Sequence, residues 1–411
     1  MVTAQARPES KARSRGKRRG GRLAAARTAL TAWLSRPLAS FHLVLAVCGL
    51  LTAIGVVMVL SASSVESVAS GSSAYSVFGK HLLFVGLGMV AFWLGLRLPL
   101  AIIRRFAPGL LFVAIGLLVL VLTPLGSEQF GSQGWIKLGG FQLQPVELAK
   151  VALALWGAHI LVIKSRYTAS WRQLLVPLVP VALVMFALVM AQPDLGGTVG
   201  LAVVLVALLW FAGAPRGLFA GILAGGVAGI VALALIADYR MARVLSFLSP
   251  GSDSSGAGYQ ANQALYALAD GGLFGVGLGQ GGSKWHYLPN VQHDFIFALI
   301  GEELGFVGCF VVIGLFAAVA VVGLRIATRN VDPWIRIVAG TLTAWLVSQA
   351  AINIGYVVGL LPVTGVTLPL VSYGGTSLVI TLGLFGILAS CGRHEPAAVA
   401  ALRSQGPGRF G

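Results

Sequence analysis

The sequence predicts an all-α, polytopic membrane protein of about ten transmembrane helices, with both termini cytoplasmic. Three observations predict it. Only 10% of the 411 residues are charged and 57% are hydrophobic, where a soluble domain carries about 25% charged residues. Ten apolar segments are each long enough to cross ~30 Å of hydrocarbon at ~1.5 Å per residue. The basic residues divide unequally between the two sets of loops joining those segments, as membrane orientation requires.

In chain order, residues 1–37 form a basic tail that holds ten of the 29 lysines and arginines. It is expected to be disordered and cytoplasmic, a topology signal attracted to anionic lipid; binding a partner is the alternative role. The first apolar run is long enough to span, and no cleavable signal peptide is expected. The spans fall at 40–62, 81–98, 106–124, 145–164, 174–191, 196–213, 217–237, 295–324, 334–357 and 368–390, within a membrane domain covering 38–392. A short cytoplasmic tail, 393–411, follows.

With the N-terminus inside, the inner side holds the ten basic residues of the tail. It also holds Arg97, Arg104, Arg105, Lys164, Arg166, Arg172, Arg216, Arg325, Arg329, Arg336, Arg393, Arg403 and Arg409, for 23 in all. The outer side keeps six: Lys80, Lys137, Lys150, Arg240, Arg243 and Lys284. The positive-inside rule therefore places loops 63–80, 125–144, 238–293 and 358–367 outside. A net charge of +16 distributed this way marks orientation rather than a nucleic-acid groove. Cys48, Cys309 and Cys391 lie in apolar sequence and read as small core residues, without disulfide or metal spacing.

The 238–293 loop is too long for a mere connection. Within it, GYQANQALYALADGGLFG spaces Leu265, Leu268 and Ala269 as a short amphipathic helix at the membrane interface. Gly277, Gly279 and Gly282 match G-x-G-x-x-G, but a dinucleotide site needs a βαβ setting that an outer loop lacks. They read as a turn-rich connector.

The stretch Gly279–Gly305, GQGGSKWHYLPNVQHDFIFALIGEELG, carries the densest polar chemistry. Asp294 stands where loop becomes membrane span, with Glu302 and Glu303 two turns further on. A carboxylate at bilayer depth costs about a few kcal/mol. Asp294 has two readings: an N-cap accepting from free backbone N–H groups, or a general base. Glu302 and Glu303 read as a satisfied polar pair packed against other helices. Glu147 and Lys150, three apart on one helix face, read either as a stabilising ion pair or as a holder for an anionic headgroup. Asp194, in QPDLGGT, reads as cap and turn. In GLLPVTGVTLPLVSYGGTS, Pro362, Pro369, Gly365, Gly374 and Gly375 break the helix. Broken backbone at membrane depth is tolerated only inside protein or beside a water-filled cavity. Thr364, Ser372, Thr376 and Ser377 are therefore candidate hydrogen-bonding groups of a cavity wall. Three outward regions thus converge, and none contains a nucleotide site, a metal cluster or a Ser/His/Asp triad.

Four motifs in this order, GWIKLGGFQLQPVELAK, AQPDLGGT, KWHYLPNVQHDFIFALIGEELG and LPVTGVTLPLVSYGGTS, resemble the SEDS (shape, elongation, division and sporulation) family over 40–392. The third is closer to the division type than to the elongation type. The resemblance implies a septal peptidoglycan glycosyltransferase in the plasma membrane that polymerises lipid II, an undecaprenyl-pyrophosphate-linked disaccharide-pentapeptide, with inversion at the anomeric carbon. It implies that Asp294 is the catalytic aspartate and that Trp135, Lys150 and Glu147 belong to the substrate site. Charge for the pyrophosphate would come from Lys150, from Arg240, Arg243 or Lys284, or from a divalent cation (Mg or Mn); no cofactor is otherwise implied. Division-type members often carry a basic residue where this chain has Gln142, which removes one candidate phosphate contact. The implied partners are a class B penicillin-binding protein (a transpeptidase) and other divisome proteins. The alternatives are a lipid II flippase, which broken helices also suit, an elongation-type polymerase, and a catalytically silent scaffold.

Overall fold

The computed structural model describes residues 36–69, 75–129, 132–138, 141–165, 171–236, 257–282 and 291–404. The basic tail, Arg240, Arg243, Lys284 and much of the 238–293 loop lie outside the described residues. Helices α1 (Ala39–Ala69), α2 (Ser76–Arg97) and α3 (Leu100–Leu120) lead to a three-stranded sheet, β1 (Gly126–Gln129), β2 (Ser132–Leu138) and β3 (Phe141–Leu143). Helices α4 (Pro145–Ser165), α5 (Trp171–Ala191), α6 (Leu195–Phe211), α7 (Arg216–Ile236) and α8 (Ala257–Asp270) follow. The chain continues through α9 (Ile296–Arg329), α10 (Pro333–Val357), α11 (Thr376–Arg393) and α12 (Pro396–Ser404). Eight of the described helices, α1–α5 and α9–α11, are long and apolar enough to span a membrane. Apolar helices α6, at 17 residues, and α7 fall on the sixth and seventh expected spans.

Burial sorts these helices into centre and rim. The most apolar windows of α4, α10 and α11 are 72%, 67% and 72% buried, whereas those of α2 and α3 are 17% and 22% buried. Large side chains such as Trp93, Phe112 and Val113 are exposed on the rim helices, as suits a lipid-facing surface. Ala149, Ala152, Ala154 and Ala158 line α4 and are fully buried. Such small residues let helix backbones approach in a solvent that supplies no hydrophobic driving force between helices. The α2–α11 contact works the same way: a Cβ on Gly95 would stand 2.7 Å from the Gly383 carbonyl oxygen.

Three features correct the expectation from sequence. The loop expected at 125–144 contains an antiparallel sheet in order β1-β2-β3, with Leu138 opposite Phe141 across the pair Gly139-Gly140. The sheet is fastened to the turn after α5, where Ser132 Oγ donates to the Gln192 carbonyl at 2.7 Å and the Gln133 N–H to the same oxygen at 3.2 Å. The last span, expected from 368, begins at Thr376; residues 358–375 form a non-helical segment, held open by positive φ at Gly359, Gly365, Leu370 and Gly375. Finally, α9 is broken at Gly305 (φ 67°, ψ −167°). The backbone groups freed there are taken up by the loop after α8. Phe306 and Val307 donate to the carbonyls of Gly272 and Leu273 at 2.9 and 3.2 Å, and Val276 and Gly277 donate to those of Glu302 and Glu303 at 2.9 and 3.1 Å. A break at membrane depth needs such compensation. The expected amphipathic helix is present as α8, with Ala264 and Ala267 buried and Leu265 and Tyr266 exposed.

Candidate active site

Asp294 is partly buried one residue ahead of the α9 N-cap position, which falls on Phe295 and has no side-chain cap. Its backbone is tied down from α10. Asn353 Nδ2 donates to the Asp294 carbonyl at 2.9 Å, and the Tyr356 hydroxyl lies 2.8 Å from the same oxygen. Both groups also reach the Val366 carbonyl, each at 2.7 Å, and they stand 2.6 Å from each other. One clamp thus joins the residue before α9 to the non-helical segment. The next turn of that segment faces the carboxylate: a Cβ on Gly365 would lie 3.8 Å from Asp294 Oδ2, and Gly365 has φ +72°. Residues flanking Asp294 fasten the far end of the segment. Tyr373 N–H donates to the Gln292 carbonyl at 2.9 Å, and His293 Nδ1 contacts the Tyr373 carbonyl at 3.0 Å.

The Glu147–Lys150 pair lies on α4. Lys150 Nζ donates to Glu147 Oε1 at 2.8 Å, and both residues are buried. The ammonium also lies 4.8 Å from the centroid of the Trp345 ring, a cation–π distance. Gly200 makes room for its stem, since a Cβ there would stand 2.9 Å from Lys150 Cδ. Lys150 shares a narrow crevice with Gly196, Gly200, Gln349 and Val366, with about 20 Å³ of free space, room for roughly one water. Asp194 caps α6 by accepting from the Gly197 N–H at 2.7 Å, the cap-and-turn role expected of it. Its second oxygen, Oδ2, is buried without a hydrogen-bond partner among the described residues. Burial pushes its pKa up, opposed by the Gly197 N–H and by Lys150.

The 364–367 segment is the bridge. Gly365 faces Asp294, Val366 lines the Lys150 crevice, and the Thr364 carbonyl packs on Gly196. Thr364 Oγ1 is buried without a partner, and Gln349 Nε2 donates to the Thr367 carbonyl at 3.0 Å. Asp294, Glu147 and Lys150 therefore belong to one connected wall. Of the other hydroxyls expected to line it, one serves the segment's own geometry and one ties α11 to the start of α4. Ser372 Oγ accepts from the Leu368 N–H at 2.9 Å, Thr376 Oγ1 accepts from the Gln144 N–H at 3.3 Å, and Ser377 is buried at the start of α11. Trp135 lies on β2 opposite Ser127, and Gln142 on β3 opposite Lys137. The two glutamates of α9 are engaged elsewhere: Glu302 Oε1 accepts from the Gly282 N–H at 2.6 Å, and Glu303 accepts from the Ser61 hydroxyl at 2.7 and 2.8 Å.

Sequence reasoning misses Asn353, Tyr356, Gln349 and Trp345. Their signal is an i, i+3/i+4 ladder of hydrogen-bonding side chains, WLVSQAAINIGY, inside an apolar span. Among the described residues no group of three or more His, Cys, Asp or Glu could hold a metal ion. Chemically, the wall pairs a carboxylate that can take a proton with a buried ammonium that can face an anion.

The family model described as "Cell cycle protein", for FtsW, RodA and SpoVE, matches residues 41–396. A probable peptidoglycan glycosyltransferase FtsW of Mycobacterium tuberculosis is 52% identical over 379 residues, 92% of this chain and 72% of that protein. Stage V sporulation protein E of Bacillus subtilis is 40% identical over 84% of this chain and 95% of its own length. Among solved structures, one from a peptidoglycan synthase complex described as coordinating polymerization and crosslinking superposes with TM-score 0.71 at 28% identity, covering 86% of this chain and 97% of that one. The rod shape determining protein RodA of Thermus thermophilus superposes with TM-score 0.63 at 28% identity, covering 86% and 96%.

Proposed function

Because the chain belongs to the FtsW/RodA/SpoVE family of cell cycle proteins, we infer that it is a multi-pass membrane peptidoglycan glycosyltransferase of the FtsW type, acting in cell division. Its substrate is lipid II and its product a glycan strand. In the step we assign to it, the 4-hydroxyl oxygen of the acceptor sugar attacks the anomeric carbon of the donor. The bond from that carbon to the pyrophosphate oxygen breaks, and undecaprenyl pyrophosphate leaves with the bonding electron pair. Asp294 takes the hydroxyl proton. A single displacement of this kind inverts the anomeric centre. No nucleotide is needed, since the donor carries its own leaving group.

Lys150 is the cation that meets the leaving pyrophosphate, and Glu147 orients it. The Lys150 crevice is narrow, so a pyrophosphate would meet the ammonium at the crevice mouth or after the 364–367 segment shifts. Trp135, Lys284, Ser372, Thr376 and Ser377 belong to the surrounding substrate surface in this reading, the last three by shaping the segment that faces Asp294. Both termini are cytoplasmic and the site opens outward, on the asymmetry of basic residues. A class B penicillin-binding protein and other divisome proteins are its partners, and the division septum its place of work.

The observation that carries the reading is the 364–367 segment, which touches both the Asp294 carboxylate side and the Lys150 crevice. Purified protein, alone and with its transpeptidase partner, should make glycan strands from lipid II. Scrambling of lipid II across liposomes with no polymer formed would favour a flippase instead.

A further inference from the structure

A second polar cavity lies at the other end of the bundle. It measures about 580 Å³ and sits between the α2–α3 turn and the α11–α12 junction. Helix α11 runs 18 residues from Thr376, beside the Asp294 wall, to Arg393 in the cavity, about 27 Å along the axis. Arg97, Arg393, Arg403 and His394 line it. Among the described residues no carboxylate lines it. The nearby Glu395 is buried and turned toward Arg329, 3.8 Å away. Arg393 is held at the wall, its guanidinium 6.0 Å from the Phe41 ring centroid. His394 Nδ1 is engaged with the Ser390 carbonyl at 2.8 Å, and the residue is exposed.

The remaining wall is apolar, with Leu98 and Leu402 among its residues. Leu98 continues the exposed apolar surface of α2 that carries Trp93 and Leu94, the surface that meets lipid. A soluble anion would have no use for that wall; a lipid phosphate with an acyl chain beside it would use both. We propose that this cavity is a binding site for the headgroup phosphate of an anionic phospholipid, held by Arg97, Arg393 and Arg403 with an acyl chain against α2. Guanidinium forks match phosphate oxygens, and basic pockets between spans on the cytoplasmic side are suited to such headgroups. The lipid would also fasten the terminal helix α12, which brings Arg403 and Leu402 to the cavity.

The test uses the full-length chain, delipidated in detergent and titrated with phosphatidylglycerol or phosphatidylcholine, with bound lipid read by native mass spectrometry. The expected result is one retained phosphatidylglycerol, preferred over phosphatidylcholine. Arg97→Gln/Arg393→Gln/Arg403→Gln should weaken it on the order of a hundredfold, at roughly fivefold per arginine. The control Arg105→Gln/Arg172→Gln/Arg336→Gln removes the same charge from exposed positions outside the cavity and should change binding little. Should the first triple variant fail to insert, Arg403→Gln alone, on the terminal helix, should still weaken binding about fivefold. Equal losses in both triple variants, or no loss with Arg403→Gln, would overturn the site. Displacement of the lipid by millimolar inorganic phosphate would reassign the cavity to a soluble anion and overturn the lipid reading.

Discussion

Asn353→Leu tests whether α10 positions Asp294, the proposed general base, without touching substrate. The Asn353 amide and the Tyr356 hydroxyl together offer three protons to two carbonyls, those of Asp294 and Val366, all within 2.9 Å. Turning the amide around would aim its oxygen at both carbonyls, so the donor orientation is the only favourable one. Leucine removes two of the three protons. The tyrosine hydroxyl can then donate to one carbonyl, and the other loses the protons these two side chains gave it, at a cost of about 1–3 kcal/mol. Tyr356→Phe leaves the amide to serve both carbonyls and should cost only about 0.5–1.5 kcal/mol. The catalytic effect should exceed the stability effect, because displacing a reacting group by ~1 Å costs on the order of a hundredfold in rate. In a lipid II polymerisation assay, Asn353→Leu should lower kcat by roughly ten- to a hundredfold with KM nearly unchanged, and Tyr356→Phe by less. The loss in the double variant should exceed the product of the two, since each single variant keeps a donor that still serves a shared acceptor and the double keeps none. Wild-type kcat in a folded Asn353→Leu protein, or a raised KM with kcat intact, would refute positioning.

Asp294→Asn should insert and bind lipid II normally but lose about 10²–10⁴ in rate; single-turnover polymerisation at wild-type speed would move attention to another carboxylate. Lys150→Ala should both abolish polymerisation and destabilise the protein by about 3–5 kcal/mol, because Glu147 is left as an uncompensated buried charge. Lys150→Met/Glu147→Leu should recover most of that stability while remaining inactive, and recovery of polymerisation would reduce the pair to a structural role. Lys150→Arg should rescue poorly, since Trp345 lies against the head and the crevice has only about 20 Å³ of free space; full activity would show that the site reads charge alone. Cysteine placed at Ser254 should label from outside with an impermeant reagent, over a low background because Cys48, Cys309 and Cys391 are buried; protection of an accessible thiol there would reverse the proposed topology.

The helices are legible in the sequence because hydrophobicity alone sets them in lipid: every expected span overlaps an apolar helix, with boundaries shifted by a few residues. What escapes is the backbone that is neither helix nor simple loop. The sheet carries a usable sign in Gly139-Gly140 between two short alternating runs, the two-residue hairpin pattern. Treating everything between spans as connection masks that sign. The late start of α11 follows from Pro369, Gly374 and Gly375, which the sequence displays openly; a span has to begin after the last breaker rather than at the first apolar residue. Asp294 and the Glu147–Lys150 pair can be picked out singly because charge is costly in a membrane. Their convergence with the broken Pro/Gly segment is also expected, but the residues that join them, Asn353, Tyr356 and Val366, are not, because those contacts link residues far apart in the chain.

The fate of Glu302 shows why residue type alone does not rank the carboxylates. By helical periodicity it shares roughly a face with Asp294, which makes it the natural second acid. Periodicity assumes that both residues stand on the helix, and Asp294 lies ahead of α9, which starts at Ile296. The loop that fills the break at Gly305 brings the Gly282 N–H onto Glu302, while α1 brings Ser61 onto Glu303. Both carboxylates are thereby committed as hydrogen-bond acceptors inside the bundle, where they tie the break to its neighbours. Asp294, ahead of the break and only partly buried, is held through its carbonyl rather than by a cap of its own helix, and so has its side chain turned to the Gly365 side of the wall. We propose Asp294 as the acid of the three that receives the proton, because it faces the 364–367 segment that also lines the Lys150 crevice.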